Sequence, residues 1–197
     1  MIDSEEIIQS LNTHHWVPNK EKTAILLVDL QEYFRGIINP ILDNLKRIIN
    51  VAREAGVPFF FTQHGHESVE ESGILGQWWP DLIIKGSDDA LLLPELEVRE
   101  DDTVIPKATY SAFHETELEA KLIELGIEDV VIGGVMTNLC CETTARDAFV
   151  RDYRVFFLAD GTSTVSEDLH LASLKNISYG FATLISCSGL MDIVKKW

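Results

Sequence analysis

The sequence is poor in basic residues and in cysteine, and each shortage excludes a class of protein. It has 197 residues with 16 basic and 32 acidic side chains, which gives a formal net charge of −16. Nucleic acids and anionic membrane surfaces are bound by clustered Lys and Arg, so we expect neither partner. The three cysteines are Cys140, Cys141 and Cys187. An odd number with two adjacent residues is a poor disulfide framework.

Long apolar runs are also absent. No run approaches the roughly 18 residues that a transmembrane helix needs, and the first residues lack the basic and then apolar pattern of a signal peptide. We therefore expect a cytoplasmic protein with reduced thiols. Hydrophobic residues make up 46% of the chain, which is enough apolar surface for a packed core. The length suits one domain, so we predict a single domain over residues 1–197.

Short apolar runs alternate with helical patterns along the chain. The runs predicted to be strands are residues 24–29, 57–62, 103–107, 129–135, 154–160 and 182–186. Helices are predicted to begin at Asn39-Pro40, at a capping box over residues 116–119, and at Ser166; residues 63–101 are predicted to be a long loop with short helical pieces. Strands that alternate with helices indicate βαβ crossovers. We predict a three-layer α/β/α fold with a central, mostly parallel six-stranded sheet, similar to a Rossmann fold.

Polar residues stand at or after several predicted strand ends. Asp29 ends the first strand, Gln63 and His64 follow the second, and Lys107 ends the third. In open α/β sheets, ligands bind at the carboxyl ends of the strands, where the strand order reverses. We therefore expect these residues to converge with residues 135–140, which follow the fourth strand.

The most informative segment is residues 133–148, where an apolar strand leads through two glycines into a helix with cysteines in its first turn. A thiol there lies near the positive end of the helix dipole, which is expected to lower its pKa. Free amide N–H groups at the same place can stabilise an oxyanion. The alternative is that the cysteines are ordinary small core residues, and position alone leaves both interpretations open.

Helical spacing distinguishes the two adjacent cysteines. Cys141 shares its helix face with an apolar set, Ala145, Ala148 and Phe149. Cys140 shares its face with the more polar Thr144 and Asp147. We predict that Cys140 is the nucleophile and that Cys141 packs in the core. Cys187 is also predicted to be a packing residue.

A cysteine nucleophile needs a group that accepts its proton and returns one to the leaving group. Asp29 is the leading candidate, because partial desolvation at the end of an apolar strand suits a carboxyl group to acid and base catalysis. The alternative is that Asp29 caps a turn. Lys107 is expected to favour the thiolate, anchor Asp29 and stabilise developing negative charge, unless it is a solvated surface lysine.

Three segments of the chain resemble motifs of the isochorismatase-like cysteine hydrolases, which include nicotinamidases, N-carbamoylsarcosine amidases, ureido-compound amidohydrolases and isochorismatases. The segments are residues 27–34, 107–113 and 134–140, and the resemblance extends from residue 23 to about residue 186. It implies a catalytic triad of Asp29, Lys107 and Cys140. It also implies a cis peptide between Val135 and Met136, and an oxyanion hole formed by the amides of Met136 and Cys140.

The resemblance implies a hydrolase that cleaves a C–N bond of a small amide, carbamoyl or ureido compound through a thioester on Cys140. Isochorismatase activity, the hydrolysis of a vinyl ether, is an alternative that needs an acid more than a thiol. A catalytically silent binding protein is a further alternative. Because relatives commonly assemble as dimers or tetramers, a homodimer or homotetramer is expected.

The segment from Gln63 to His66 invites a metal hypothesis, since imidazoles are common metal ligands. In the nicotinamidases that the chain resembles, an Asp and two His after the second strand hold a divalent metal. Here Gln63 stands where an acidic ligand is expected, so we predict no metal and no cofactor. Because small-molecule pockets are largely apolar and aromatic, the predicted substrate-binding residues are Gln31, Phe34, His64, Trp78, Trp79 and Tyr110.

Overall fold

Six parallel strands form one central sheet in the computed structural model, which describes residues 4–197. The strands are β1 Thr23–Val28, β2 Phe59–His64, β3 Thr103–Lys107, β4 Asp129–Val135, β5 Arg154–Ser163 and β6 Ala182–Ile185. All the strand pairs are parallel, and their order is β3-β2-β1-β4-β5-β6. This is the Rossmann strand order, so the predicted fold class is confirmed.

Helices cover both faces of the sheet and complete three layers. They are α1 Ser4–Leu11, α2 Arg35–Ile38, α3 Leu42–Ala55, α4 Gly73–Trp78, α5 Leu118–Glu124, α6 Glu142–Val150, α7 Glu167–Gly180 and α8 Cys187–Val194. Helices α1, α5, α6 and α7 pack on one face, and α2, α3 and α8 pack on the other. Within residues 4–197, no helix is long and apolar enough to cross a membrane.

The two layers of helices explain why β1 is apolar without alternation. All six of its residues are buried. Leu26 and Val28 belong to the core beneath α5 to α7, whereas Ile25 and Leu27 belong to the core beneath α3 and α8. A strand that is covered on both faces has an almost continuous apolar sequence, and the one polar residue of β1, Thr23, donates its hydroxyl to the Asn19 carbonyl oxygen at 2.6 Å.

Several predicted element boundaries differ from the structure. Strand β2 extends through Gln63 and His64, which were expected to follow it, and β5 extends three residues further than predicted, to Ser163. Asn39 ends α2, and α3 begins only at Leu42, so the predicted helix start at Asn39-Pro40 is wrong. These differences arise because pairing with a neighbouring strand, or a preceding helical turn, overrides local sequence signals.

The two predicted helix starts further along the chain have different outcomes. The capping box does not form, because α5 begins at Leu118 and the Thr116 hydroxyl accepts from the Leu118 N–H at 3.3 Å. The start at Ser166 is confirmed, since its hydroxyl accepts from the Leu169 N–H at 3.3 Å. The predicted loop over residues 63–101 contains α4 and two short 3₁₀ turns after the end of β2, as expected.

The strand order reverses between β1 and β4, and the two strands approach very closely there. Gly134 in β4 has a φ of 116°, and a Cβ at this position would lie 2.2 Å from the carbonyl oxygen of Val28. Only glycine fits this combination of conformation and contact. The close approach brings the segment after β4 beside Asp29, which directly follows β1.

Candidate active site

Asp29 is held in a fixed position immediately after β1. Its backbone is in the left-handed region with a φ of 51°, and its side chain is fully buried. Thr62 of β2 binds it twice: the Asp29 N–H donates to Thr62 Oγ1 at 3.0 Å, and the Thr62 hydroxyl donates to Asp29 Oδ1 at 2.6 Å. Left-handed residues other than glycine cluster at functional sites. This arrangement fixes Oδ1 and leaves Oδ2 for other contacts.

Lys107, the last residue of β3, connects Asp29 to the predicted nucleophile. Its Nζ lies 2.7 Å from Asp29 Oδ2 in a fully buried ion pair. The same Nζ donates to the Thr109 carbonyl oxygen at 2.9 Å and to Cys140 Sγ at 3.5 Å. The Lys107 ammonium therefore faces both Asp29 Oδ2 and Cys140 Sγ.

The environment of Lys107 keeps its side chain cationic. Burial alone would lower the pKa of the Lys107 ammonium, but the neighbouring Asp29 carboxylate and Cys140 sulfur outweigh burial, and the pKa is raised. A buried cation between a carboxylate and a thiol can hold negative charge on either partner. The arrangement therefore suits the transfer of a proton between Asp29 and Cys140.

Cys140 lies in a single turn of π-helix, Thr137–Cys141, between β4 and α6. The sequence predicts the first turn of an α-helix here, and the structure has the wider π turn, a conformation that is frequent at functional sites. Cys140 is 7% exposed and lies on the wall of a cavity, whereas Cys141 is fully buried and is not part of that wall. The two thiols therefore face different surroundings, as helical spacing indicates.

The expected lowering of the Cys140 pKa is wrong. Burial raises the pKa of this thiol to about 12, with Lys107 opposing the rise and the Asp29 carboxylate adding to it. Desolvation penalises a thiolate more strongly than the helix start and one cation can favour it. The resting thiol is therefore neutral, and it becomes a nucleophile only if a base takes its proton.

A cavity of about 540 Å³ opens beside Cys140 at the carboxyl edge of the sheet. Four of the predicted substrate-binding residues line it, namely Phe34, His64, Trp79 and Tyr110. The indole Nε1–H of Trp79 donates to the Tyr110 hydroxyl at 2.7 Å and so connects two loops at the wall. Sequence reasoning did not identify the other lining residues, which come from α2 and the 3₁₀ turn before it, from α4 and the loop after it, and from the segments after β4 and β5: Tyr33, Ile37, Leu75, Pro80, Asp81, Leu82, Ile83, Leu139 and Val165. Tyr33 lies inside the first resemblance motif, which is the one signal that could have indicated it.

Gln31 and Trp78 do not line this cavity. The Gln31 side chain is fully buried, where its Nε2 donates to the carbonyl oxygens of His64 and Ala90 at 2.8 and 2.9 Å. Its Oε1 accepts from the His64 N–H at 2.8 Å. Gln31 thus supports the wall from behind. Trp78 is 74% exposed, because the short helix α4 directs it away from the cavity that its neighbour Trp79 lines.

The segment between β4 and Cys140 has the backbone that the resemblance implies. The Val135–Met136 peptide is cis. Met136 lines the cavity together with Cys140. The two residues whose amides are expected to form the oxyanion hole thus both border the space where a substrate would lie.

Comparisons with known proteins now identify the family. The family model described as the isochorismatase domain matches residues 23–188. The chain belongs to the isochorismatase family. It is therefore a hydrolase, as predicted.

Named relatives of this isochorismatase-family chain include two amide-cleaving enzymes. Nicotinamidase 3 of Arabidopsis thaliana is 44% identical over 176 residues, which cover 88% of this chain and 89% of the relative. The ureidoacrylate amidohydrolase RutB of Serratia proteamaculans is 32% identical over 193 residues, covering 82% and 78% of the two chains. A cysteine hydrolase from Pseudomonas syringae pv. phaseolicola has a TM-score of 0.89 at 24% identity, over 92% of this chain and 96% of that one. This last likeness shows the shared fold.

Two histidines lie side by side in the cavity wall of this isochorismatase-family hydrolase. Their ring centroids are 5.0 Å apart and their planes are nearly perpendicular. His64 Nδ1 and His66 Nε2 are buried without a hydrogen-bond partner among the described residues. Burial lowers the pKa of His64 to about 4, with Lys107 adding to the shift and Asp29 opposing it, and burial also lowers the pKa of His66. Both rings are therefore neutral at neutral pH.

The cavity wall carries little charge. Among the described residues that line the cavity, Asp81 is the only one charged at neutral pH, and no Lys or Arg is among them. Lys107 lies behind the wall, and Asp29 pairs with it. Within residues 4–197, no group of three or more His, Cys, Asp or Glu is placed to hold a metal ion. The wall therefore presents apolar, aromatic and neutral polar surface to a bound molecule.

Proposed function

We propose that this hydrolase cleaves the C–N bond of a small, uncharged amide, carbamoyl or ureido compound through a thioester on Cys140. The observation that carries the proposal is the buried chain of contacts from Asp29 Oδ2 through Lys107 Nζ to Cys140 Sγ, 2.7 and 3.5 Å long, beside a cavity. The relatives named nicotinamidase and ureidoacrylate amidohydrolase support cleavage of a non-peptide C–N bond.

The acylation half of the reaction begins from a neutral thiol. Asp29 Oδ2 accepts the Cys140 proton while Sγ attacks the substrate carbonyl carbon, and the carbonyl oxygen becomes an oxyanion bound by the amides of Met136 and Cys140. Asp29 then gives the proton to the substrate nitrogen. The C–N bond breaks, and ammonia or an amine leaves a thioester on Cys140.

Deacylation reverses these roles with water as the nucleophile. Asp29 accepts a proton from water, whose oxygen adds to the thioester carbon. The C–S bond then breaks and releases a carboxylic acid, or a carbamic acid from a ureido compound. Asp29 returns its proton to the Cys140 thiolate. Lys107 stays cationic throughout and stabilises the negative charge on whichever of the two groups carries it.

The charge of the cavity wall supports an uncharged substrate over an anionic one. A carboxylate bound in the cavity would meet Asp81 and no lining cation among the described residues. An anion removed from water without a partner is strongly disfavoured. Isochorismate has two carboxylates and ureidoacrylate has one, so both rank below a simple carboxamide. The predicted isochorismatase activity therefore remains the second candidate, supported by the family description and by a Bacillus subtilis relative named isochorismatase, 26% identical over 189 residues.

A matched substrate pair tests the proposal. Benzamide and 4-carbamoylbenzoate differ by one carboxylate, and ammonia release from each is measured, with nicotinamide as a further uncharged substrate. We expect kcat/KM to be about 100-fold or more higher for benzamide, because burying an unpaired charge costs several kcal/mol. Cys140→Ala should abolish ammonia release from both.

Two results would contradict the proposal. One is equal or faster release of ammonia from 4-carbamoylbenzoate, which would remove the charge argument. The other is release of pyruvate from isochorismate by the Cys140→Ala variant, since vinyl ether hydrolysis without the thiol would make isochorismatase the function. A wild-type protein that releases neither product would favour the silent binding alternative.

A further inference from the structure

Besides the contact of Lys107 with Cys140, two side-chain hydrogen bonds from other elements hold the nucleophile turn, residues 137–141. Thr137, which is fully buried, places its Oγ1 3.0 Å from Nδ1 of His170 in α7. The Thr164 hydroxyl, which follows β5, donates to Asn138 Oδ1 at 2.6 Å. Both bonds end on the segment that joins Met136 to Cys140. The amides of these two residues form the proposed oxyanion hole.

The contacts of His170 allow only one hydrogen-bonding pattern. Its Nε2 lies 3.1 Å from the carbonyl oxygen of Ala159 in β5. A carbonyl oxygen only accepts, so Nε2 carries a proton. Burial lowers the pKa of His170, with the Ala159 carbonyl and Glu167 opposing, so the ring is neutral at neutral pH and Nδ1 has a free lone pair. The Thr137 hydroxyl must therefore donate to Nδ1.

We propose that His170 is a positioning residue for amide hydrolysis, acting through Thr137 on the nucleophile turn. This inference rests on the proposed function. His170 is not among the residues that line the cavity, so its effect must pass through the residues it contacts. It connects the backbone of β5 to the side chain of Thr137, and thereby restrains the peptide that joins Thr137 to Met136.

The restraint matters because one carbonyl oxygen, that of Met136, accepts two of the hydrogen bonds within the turn. The Met136 carbonyl oxygen accepts from the amides of both Leu139 and Cys141, at 3.1 and 3.2 Å. Rotation of the 136–137 peptide would disturb both bonds and move the Cys140 thiol relative to Asp29. A misplacement of about 1 Å at reacting atoms can reduce the rate about 100-fold. A residue that prevents this rotation therefore affects kcat more than substrate binding.

The proposal is tested by replacing His170 with side chains that place their polar atoms at different distances from the backbone. Asn places an acceptor oxygen near the position of Nδ1, whereas Gln places its amide near Nε2 and reaches only Ala159. We expect His170→Gln and Thr137→Val each to lower kcat about tenfold with little change in KM. The double variant should be no worse than either single one, because both remove the same contact. His170→Asn and Thr137→Ser should recover most of the lost kcat.

A control on the same helix separates positioning from stability. Ser178 is buried in α7, and its hydroxyl donates to the Lys175 carbonyl oxygen of its own helix. Ser178→Ala should lower the melting temperature without changing kcat. If His170→Gln and Thr137→Val also lower only the melting temperature, or if His170→Asn is as slow as His170→Gln, His170 is a structural residue and the proposal is wrong.

A second measurement keeps this inference separate from the proposed function. The rate of Cys140 alkylation by iodoacetamide needs no substrate turnover. If the wild-type protein hydrolyses no amide, the proposed function fails, and the alkylation rates decide about His170. The inference is supported if His170→Gln and Thr137→Val alkylate at rates that differ from those of both wild type and Ser178→Ala. It is overturned if their rates equal that of Ser178→Ala.

Discussion

Replacing Asp29 by Asn should make Cys140 more reactive to alkylation while abolishing hydrolysis. The pKa of Cys140 is raised to about 12 by burial, and Asp29 contributes to the rise while Lys107 opposes it. Asp29→Asn removes the carboxylate and leaves the Lys107 cation facing the thiol alone, which favours the thiolate. Because Asp29 is also the only proposed base, amide hydrolysis should be lost in the same variant.

The magnitude follows from the fraction of thiolate. At pH 7.5, a thiol with a pKa of about 12 is ionised in about 3 of 100,000 molecules, against about one in ten for an ordinary cysteine with a pKa of about 8.5. If alkylation follows the thiolate fraction, wild-type Cys140 reacts about 3,000-fold more slowly than a free cysteine. Each unit by which Asp29→Asn lowers the pKa should speed alkylation about tenfold.

The assay is iodoacetamide labelling between pH 6 and 11, followed by peptide mass spectrometry. Peptide and fragment masses separate the adduct on Cys140 from adducts on Cys141 and Cys187, both of which are buried free thiols. Asp81→Asn is the matched control, because it removes an exposed carboxylate from the cavity wall without touching Lys107. It should leave the alkylation rate close to that of wild type.

Two results would refute the reasoning. Slower alkylation in Asp29→Asn than in wild type would mean that the carboxylate activates the thiol in the resting enzyme. A wild-type Cys140 that titrates below pH 9 would mean that the turn and Lys107 outweigh burial, as the sequence by itself suggests.

Three further predictions concern Cys141, Gly134 and His64. Cys141→Ala should keep its hydrolytic activity, since Cys141 does not border the cavity, and a trapped acyl group found on Cys141 by mass spectrometry would contradict this. Gly134→Ala should lose about 3 kcal/mol or more of unfolding free energy in urea, because its Cβ would lie 2.2 Å from a β1 carbonyl oxygen. The control Gly180→Ala, in open space within α7, should instead gain about 0.5–1 kcal/mol. Burial lowers the pKa of His64 to about 4. Between about pH 6.5 and 4, His64 is therefore protonated in the unfolded chain but neutral in the folded protein. Stability should fall as pH drops from 6.5 to 4, and His64→Gln should flatten that slope in urea titrations; an unchanged slope would contradict the assignment.

Much of the fold could be read from local patterns. The six apolar runs predict the six strands, because a strand covered on both faces is mostly apolar, as β1 is from Ala24 to Val28. Alternating strands and helices then restrict the sheet to parallel crossovers. Exact ends were less predictable, as at Asn39 and His64, since neighbouring strands and turns decide where an element stops.

The candidate site was only partly predictable. Motif order and strand ends indicated Asp29, Lys107 and Cys140, and helical spacing separated Cys140 from Cys141. Gln31 and Trp78 were misplaced because proximity to a motif does not reveal which way a side chain points. His170 carried no signal at all, since 33 residues separate it from Thr137.

The sequence by itself determined the fold class and the family, and it indicated the three side chains that we propose to be reactive. The tertiary structure alone decided their chemical state. Whether the Cys140 thiol is ionised depends on how much water surrounds it and on the distances to Asp29 and Lys107. Those quantities arise only when β1, β3 and β4 bring distant residues together, and desolvation there reverses the pKa shift that the local sequence predicts.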